Sequence, residues 1–168
     1  MLWTNRIFCG MIKDSVYLRD RQMRNLGGIK SMRKVVKFGG SSLASAEQFK
    51  KVGDIIRADK SRRYVVPSAP GKRSSSDTKV TDMLYSCYNL AIREKKFTSL
   101  LDEIHARYNE IIDGLNLELS LDHEFEVIAK QFEEKAGSDY AASRGEYLNG
   151  IIMANYLGFP FVDSAEVI

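Results

Sequence analysis

A strand that runs into two glycines is the feature that most constrains the fold of this 168-residue chain. Residues 35–42 read VVKFGGSS, and an amphipathic helical pattern follows them. Glycines at a strand-to-helix corner let backbone N–H groups face an anion, while the helix N-terminus and a lysine add positive charge. The lysine precedes the glycines, so this is not a Walker A loop. The corner therefore predicts a phosphate-contacting site, with a simple tight turn as the alternative.

Apolar periodicity predicts an α/β fold. Residues 33–38 and 64–66 are short β-branched runs, which indicate two buried strands. Between them an apolar stripe predicts a helix that begins near Ser45, with Gln48 at capping-box spacing, and ends near Asp59. Strand, helix and strand at this spacing form a βαβ unit, so we expect a parallel sheet.

The segment after the second strand is a predicted loop. Residues 67–77 are rich in proline, glycine and serine and follow the carboxyl end of a strand, where open α/β sheets place their ligands. Lys72, Arg73 and Lys79 give this region positive charge. Two interpretations stay open: a mobile loop that contacts substrate or phosphate, and a solvated loop with ordinary cations.

Three helices in succession are predicted next, with apolar stripes that begin near Thr81, Phe97 and Asp122. Asp122 is a candidate N-cap for the third of them. Three consecutive helices between strands indicate a helical insertion that packs to one side of the sheet.

The C-terminal region predicts one long helix and one strand. The helix begins at Ser138 or Asp139 and ends at Gly158 in the C-cap position. Gly145 interrupts its pattern, and a helical glycine costs about 1 kcal/mol relative to alanine, so we expect a close backbone approach there. Residues 159–162, which read FPFV, predict a third strand.

Charge and cysteine usage exclude several classes of protein. The net charge of +3 arises in residues 1–31, because residues 32–168 carry 19 basic and 20 acidic side chains. We therefore expect no nucleic-acid partner. No apolar run approaches the length of a membrane span, so we expect no membrane partner. The two cysteines, Cys9 and Cys87, lack metal-ligand spacing and favour a reducing compartment, which predicts a cytoplasmic protein without a metal site.

Three separated motifs together resemble the aspartate kinases. Residues 37–42, KFGGSS, are similar to the opening signature of that family, in which threonine usually stands in place of the first serine. Residues 65–69, VVPSA, and 80–84, VTDML, resemble the second strand, the serine-alanine turn and the threonine-led helix. Residues 143–146, SRGE, resemble the family's serine-x-glycine-glutamate helix, and the likeness extends over Met32 to Ile168 in order and spacing.

The chain departs from the family pattern at three places. Pro67 stands where a β-branched residue is more common, and residues 72–77 form a longer and more basic loop. Residues 163–165, DSA, resemble a strand end that often carries an arginine. A role for that arginine is therefore not expected here.

The resemblance implies an amino acid kinase fold, similar to carbamate kinase: a three-layer α/β sandwich with a mainly parallel sheet. This chain would supply the N-terminal lobe with its helical insertion. Residues 32–168 are expected to be the N-terminal part of the kinase domain, truncated at the C-terminus. We expect residues 1–31 to be an upstream extension, disordered or not native, with Met32 as the natural start; a genuine flexible arm is the alternative.

The implied activity is transfer of the γ-phosphoryl group of ATP, with Mg²⁺, to the side-chain carboxylate of L-aspartate. The product, 4-phospho-L-aspartate, begins lysine, threonine and methionine biosynthesis. By resemblance, Lys37 is the catalytic residue that offsets charge on the transferred group. The residues that contact the phosphates with it are Gly39, Gly40 and Ser41.

By the same resemblance, aspartate is bound by Ser41, Ser68, Thr81 and Glu146, with Glu146 at the ammonium end. The nucleotide-binding half of the family lies beyond Ile168, so we expect this chain alone to be incomplete for catalysis. It would associate as a homo-oligomer or with the missing C-terminal half. Two alternatives stay open: another amino acid kinase, acting on glutamate or N-acetylglutamate, and a non-catalytic substrate-binding or interaction fragment.

Overall fold

A computed structural model describes residues 32–167 of the chain, so the expectation for residues 1–31 lies outside the described residues. The elements in chain order are β1 (Lys34–Phe38), a 3₁₀ turn (Gly40–Leu43), α1 (Ala46–Arg57), β2 (Arg62–Pro67), α2 (Val80–Ile92), α3 (Thr98–Gly114), α4 (Asp122–Glu133), α5 (Ser138–Leu157) and a second 3₁₀ turn (Ser164–Glu166). The predicted α/β class is confirmed, with the helical insertion in the predicted place.

The sheet of the described residues is a parallel pair. β1 lies beside β2 with Lys37 opposite Val66 and Phe38 opposite Pro67, and α1 connects the two strands. Side chains of a strand alternate between its two faces. Val36 and Phe38 accordingly pack against the hydrophobic core, whereas Lys37 between them is exposed. The predicted βαβ unit is therefore confirmed, but the predicted burial of its strands is wrong, because the residues of β1 and β2 are half-buried or exposed.

The predicted third strand at residues 159–162 is wrong. Within residues 32–167 this segment pairs with no strand. Pro160 has no N–H to donate to a sheet. Phe161 instead packs edge-on against Tyr147 of α5, with 5.5 Å between the ring centroids, and covers Gly150. An apolar run that lies across a helix has the same composition as a short strand, so the sequence pattern does not separate the two.

The hydrophobic core lies mainly among the helices. α2 packs against α3, α4 and α5, and α5 also contacts β2. The fully buried side chains at the centre of these contacts include Leu84, Cys87, Ile104, Tyr108, Ile128, Phe132, Leu148 and Ile152. In the part of the chain that the structure describes, no helix is both long and apolar enough to cross a membrane.

Two predicted helix caps are not formed. The hydroxyl of Ser45 donates to the carboxylate of Glu47, 2.7 Å away, so the capping box with Gln48 is absent. α4 begins at Asp122 itself, whose N–H donates to the hydroxyl of Ser120 at 3.0 Å. In both cases a serine hydroxyl forms a local hydrogen bond other than the predicted cap. Short polar side chains commonly bond to nearby groups in this way.

Cys87 is expected to be chemically inert in the folded protein. Its side chain is fully buried in α2, and burial raises the pKa of the thiol to about 12. At pH 8 its thiolate population should be about 10³-fold below that of an ordinary thiol. In a Cys9→Ser background, a thiol reagent such as DTNB should react with Cys87 only after denaturant is added. Rapid labelling of the native protein would contradict this packing.

Candidate functional site

The glycine corner leads into a short 3₁₀ turn that separates β1 from the long helix, whose predicted start near Ser45 is confirmed. Gly39 is extended, with φ −77° and ψ 165°, and the N–H of Ser42 donates to its carbonyl at 3.0 Å. α1 begins only at Ala46, because Leu43 first turns into the core, where it is fully buried. The N–H groups at the corner thus belong to a short turn between β1 and α1.

The corner crosses the loop after β2 at backbone contact. The N–H of Gly71 donates to the carbonyl of Gly40 at 2.8 Å, and the N–H of Ser68 donates to the carbonyl of Phe38 at 3.0 Å. A Cβ at Gly71 would lie 2.5 Å from the carbonyl carbon of Gly40, and a Cβ at Gly40 would lie 2.7 Å from the carbonyl oxygen of Ala69. Glycine is therefore required at both positions by the close approach of two backbones.

α5 closes over the same loop. A Cβ at Gly145 would lie 2.6 Å from the Cβ of Ala69, which confirms the close approach that the helical glycine predicted. The amide of Asn149, one turn further on, donates to the carbonyl of Ser68 at 2.6 Å. The hydroxyl of Tyr108 on α3 donates to the carbonyl of Gly145 at 2.8 Å. Asn149 and Tyr108 are fully buried positioning groups that the sequence analysis missed.

These contacts bring the three sequence motifs together. Ser41 lies on the corner and Ser68 on the loop that crosses it. Thr81 is in the first turn of α2, next to Val80, whose methyl group would lie 3.6 Å from a Cβ at Gly145. Glu146 directly follows Gly145 on α5. Ser68 and Thr81 are half-buried, and Ser41 and Glu146 are exposed.

Lys37 lies on β1 two residues before Gly39 and is exposed. Within residues 32–167, neither Lys37 nor Glu146 forms an ion pair, so both charges are available at the surface. A cation and a carboxylate near one glycine corner can contact, respectively, a phosphate and an ammonium group.

A buried arginine holds the base of the predicted loop, and the sequence analysis missed it. Arg107 of α3 is 3% exposed. Its guanidinium donates to the carbonyl of Thr78 at 2.7 Å and to the carbonyl of Gly71, and it lies 3.0 Å from the carboxylate of Asp77. The sequence feature that could have indicated burial of Arg107 was helical spacing, because position 107 is on the apolar stripe of α3, three residues after Ile104.

The three predicted loop cations have different environments. Arg73 is tied to Asp77 at 3.2 Å and to Glu110 at 2.8 Å, so it is a structural link between the loop and α3. Lys72 and Lys79 are exposed and, among the described residues, form no ion pair. These contacts show that the base of the loop is anchored, and both interpretations of the loop cations stay open.

Asp77 should make the anchorage of the loop sensitive to acid. The pKa of Asp77 is lowered to about 2. The main causes are hydrogen bonds from the backbone N–H and the side chain of Arg73, together with the charge of Arg107. A folded-state pKa below the ordinary value of about 4 stabilises the fold above pH 4, and this contribution disappears as the pH falls towards 2. The urea midpoint of the chain should exceed that of Asp77→Asn at pH 6, with the difference shrinking below pH 4. A difference that is independent of pH would contradict this assignment.

The fold and the site together define a class of protein. Its core is a parallel βαβ unit whose glycine corner is crossed by the loop after the second strand, and α5, the helix that follows the insertion, covers this crossing. Residues 32–166 match the amino acid kinase family, and the chain belongs to that family.

Aspartate kinases are prominent among its relatives. Aspartokinase 3 of Bacillus subtilis is 46% identical over 88 residues, which are 52% of this chain and 19% of that protein. The crystal structure of Clostridium acetobutylicum aspartate kinase is 51% identical, with a TM-score of 0.76, over 80% of this chain and 31% of that chain. E. coli aspartokinase III, solved with aspartate and ADP, shares the fold at 22% identity and a TM-score of 0.57, over 74% of this chain and 29% of that chain.

The predicted resemblance to the N-terminal portion of aspartate kinases is confirmed by these similarities. The chain spans less than a third of the length of the relatives that it matches.

Proposed function

We propose that this chain is the substrate-binding and phosphate-contacting part of an aspartate kinase, and that residues 32–168 form the N-terminal part of its catalytic domain. The observation that carries the proposal is the crossing of Gly40 with Gly71 under Gly145, which brings the KFGGSS, serine-alanine and SRGE motifs to one place. The 51% identity to Clostridium acetobutylicum aspartate kinase supports the assignment to aspartate rather than to another amino acid substrate.

The proposed reaction joins two anions, so positioning and charge neutralisation carry the catalysis. An oxygen of the aspartate side-chain carboxylate attacks the γ-phosphorus of ATP, and the bond from that phosphorus to the β–γ bridging oxygen breaks to release ADP. Lys37 offsets the charge on the transferred group. Gly39, Gly40 and Ser41 donate N–H or hydroxyl hydrogen bonds to it. A carboxylate is already ionised at neutral pH, so no general base is required.

The aspartate substrate is proposed to lie between the corner and α5. Ser41, Ser68 and Thr81 offer hydroxyl groups to its carboxylates, and Glu146 binds its ammonium group. Support for the role of Glu146 comes from its exposed side chain, which has no ion-pair partner within residues 32–167. The aspartate and ADP bound to E. coli aspartokinase III indicate that the shared fold accommodates the amino acid and an adenine nucleotide in that protein.

Mg²⁺ is proposed to enter with ATP. Among the described residues, no group of three or more His, Cys, Asp or Glu side chains could hold a metal ion. Magnesium bound through nucleotide phosphates and waters needs few protein ligands, so the glycine corner and Lys37 fit an ion that accompanies the phosphates.

Association with further polypeptide is part of the proposal. Val35 on β1 is 51% exposed, and Phe159, Phe161 and Val162 are exposed after α5. Apolar side chains on a two-stranded sheet and its flank are typical of a surface that another chain segment covers. We propose that the C-terminal half of the kinase domain, or a second copy of this chain, covers them.

Formation of aspartyl phosphate tests the proposed function directly. The chain is incubated with ATP, Mg²⁺, L-aspartate and hydroxylamine, and aspartyl hydroxamate is measured, with L-glutamate, N-acetylglutamate and succinate as alternative substrates. Because the chain alone is expected to be incomplete, residues 32–166 also replace the corresponding segment of Clostridium acetobutylicum aspartate kinase. We expect this chimera to form the hydroxamate from L-aspartate. A folded chimera that is inactive, or that prefers glutamate, would overturn the proposal.

A further inference from the structure

Arg107 combines full burial with contacts at both ends of one loop. Charged side chains are seldom buried unless they have a partner. This guanidinium contacts the carbonyls of Gly71 and Thr78, and its charge is balanced by Asp77. Its planar fork reaches two carbonyls at once, which the single ammonium group of lysine cannot reproduce. Arg107 therefore fixes the distance between the beginning and the end of the loop.

The contact continues from Gly71 to the glycine corner. The carbonyl of Gly71 accepts from Arg107, while the N–H of Gly71 donates to the carbonyl of Gly40 at 2.8 Å. A trans peptide is planar, with its carbonyl and its N–H pointing in opposite directions. Holding the carbonyl of Gly40 therefore also fixes the direction of the Ser41 N–H, which points away from Gly71.

We propose that Arg107 is a positioning residue for phosphoryl transfer: through Gly71 it sets the orientation of the Gly40–Ser41 peptide at the phosphate-contacting corner. The identity of the phosphate ligand rests on the proposed function. In this arrangement α3 of the helical insertion supports the site through Arg107, although no residue of α3 belongs to the sequence motifs.

A cavity of about 340 Å³ adjoins this arginine. It leaves room for a small molecule to replace the Arg107 side chain in a truncated variant. Besides Arg107, its charged lining consists of three carboxylates, Asp77, Glu103 and Glu110, and one further cation, Arg73, so negative charge predominates. A small cation such as free guanidinium should therefore enter the space left by truncation of Arg107.

Amide hydrogen exchange followed by NMR tests the proposal on the full chain. In Arg107→Met, exchange of the Gly71 amide should accelerate at least ~10-fold, and the Ser41 amide resonance should shift, while core amides such as that of Leu148 stay within about twofold. Glu110→Gln, which removes only the exposed partner of Arg73, is the matched control and should leave both amides unchanged. A folded Arg107→Met with unchanged Gly71 and Ser41 amides would overturn the proposal.

Two further variants keep the test decisive if Arg107→Met does not fold. Asp77→Asn removes one partner of Arg107 and should give a smaller change of the same sign. Arg107→Ala should recover the native Gly71 and Ser41 signals when guanidinium is added below denaturing concentration. Absence of both effects would count against the proposal.

Binding of ATP separates this inference from the proposed function. In the Clostridium chimera, which supplies the nucleotide-binding half, Arg107→Met should weaken ATP binding together with the change in Gly71 exchange, whereas Lys37→Ala should weaken ATP binding without it. If the chimera with the wild-type segment binds no ATP but Gly71 exchange responds to Arg107, the positioning role holds and the nucleotide assignment fails. If ATP binds and Gly71 exchange does not respond, the assignment holds and the positioning role fails.

Discussion

Lys37→Ala is expected to reduce aspartyl hydroxamate formation by about 10²–10³-fold, the usual loss when one preorganised electrostatic contact to the transition state is removed. The exposed ammonium group has no carboxylate partner within residues 32–167, so its charge is free to act on a phosphoryl group. On β1, Lys37 alternates with Val36 and Phe38, whose side chains pack against the core. The substitution therefore removes the charge without removing core contacts. The loss should appear in kcat as well as in ATP binding, because charge on the transferred group is present in the bound state and grows in the transition state.

Lys34→Ala is the matched control for this prediction. Lys34 is on the same strand and is likewise exposed, but its ammonium group pairs with Asp59 at 2.8 Å. The variant should keep activity within about twofold of wild type and lose little stability, because exposed ion pairs contribute at most about 1 kcal/mol. Both lysine variants are measured in the chain and in the Clostridium chimera. If the Lys37→Ala protein retains more than about a tenth of the wild-type activity, Lys37 is not a catalytic residue.

Gly71→Ala is expected to lower the free energy of unfolding by about 2–4 kcal/mol, from overpacking together with a lost backbone hydrogen bond. Its Cβ would lie 2.5 Å from the carbonyl carbon of Gly40 and 2.7 Å from the nitrogen of Ser41. Both obstacles are backbone atoms, which cannot rotate away as a side chain would. The corner and the loop must therefore separate, and the hydrogen bond from Gly71 to Gly40 must break.

Gly39→Ala isolates the effect of this crossing. A Cβ at Gly39 would have no atom within 4 Å, and its φ of −77° suits any L-residue. The free energy of unfolding should be unchanged or raised by less than about 1 kcal/mol. Urea unfolding of the two variants and the wild type measures the contrast. Equal destabilisation by both alanines would show that the corner is intolerant of side chains in general rather than crossed by a second backbone.

The parts of the fold that follow from local pattern were predictable. The β-branched runs gave β1 and β2, and apolar stripes located the five helices of the described residues within a few positions. Gly158, with φ 66° and ψ 32°, ends α5 as the C-cap rule predicts. The interrupting Gly145 correctly indicated a close contact, because a costly residue in a helix needs a tertiary reason.

The parts that depend on a partner distant in sequence were not predictable. Residues 159–162 have strand composition, but a strand requires a neighbour, and Phe161 found the surface of α5 instead. Arg107 and Asn149 contact loop carbonyls that lie 36 and 81 positions away in the chain. The sequence places Arg107 on an apolar stripe, yet only the folded chain shows which carbonyls compensate its burial.

The crossing at Gly40 and Gly71 also limits how this sequence can evolve. In most packed contacts, an enlarged side chain on one side can be accommodated by a smaller residue opposite it. Here each glycine faces the backbone of the other, and both are already the smallest residue. Neither position has a compensating substitution available at the other. A change at either glycine therefore requires the backbone itself to move. Relatives that lose one of these glycines should also show a rebuilt loop after β2.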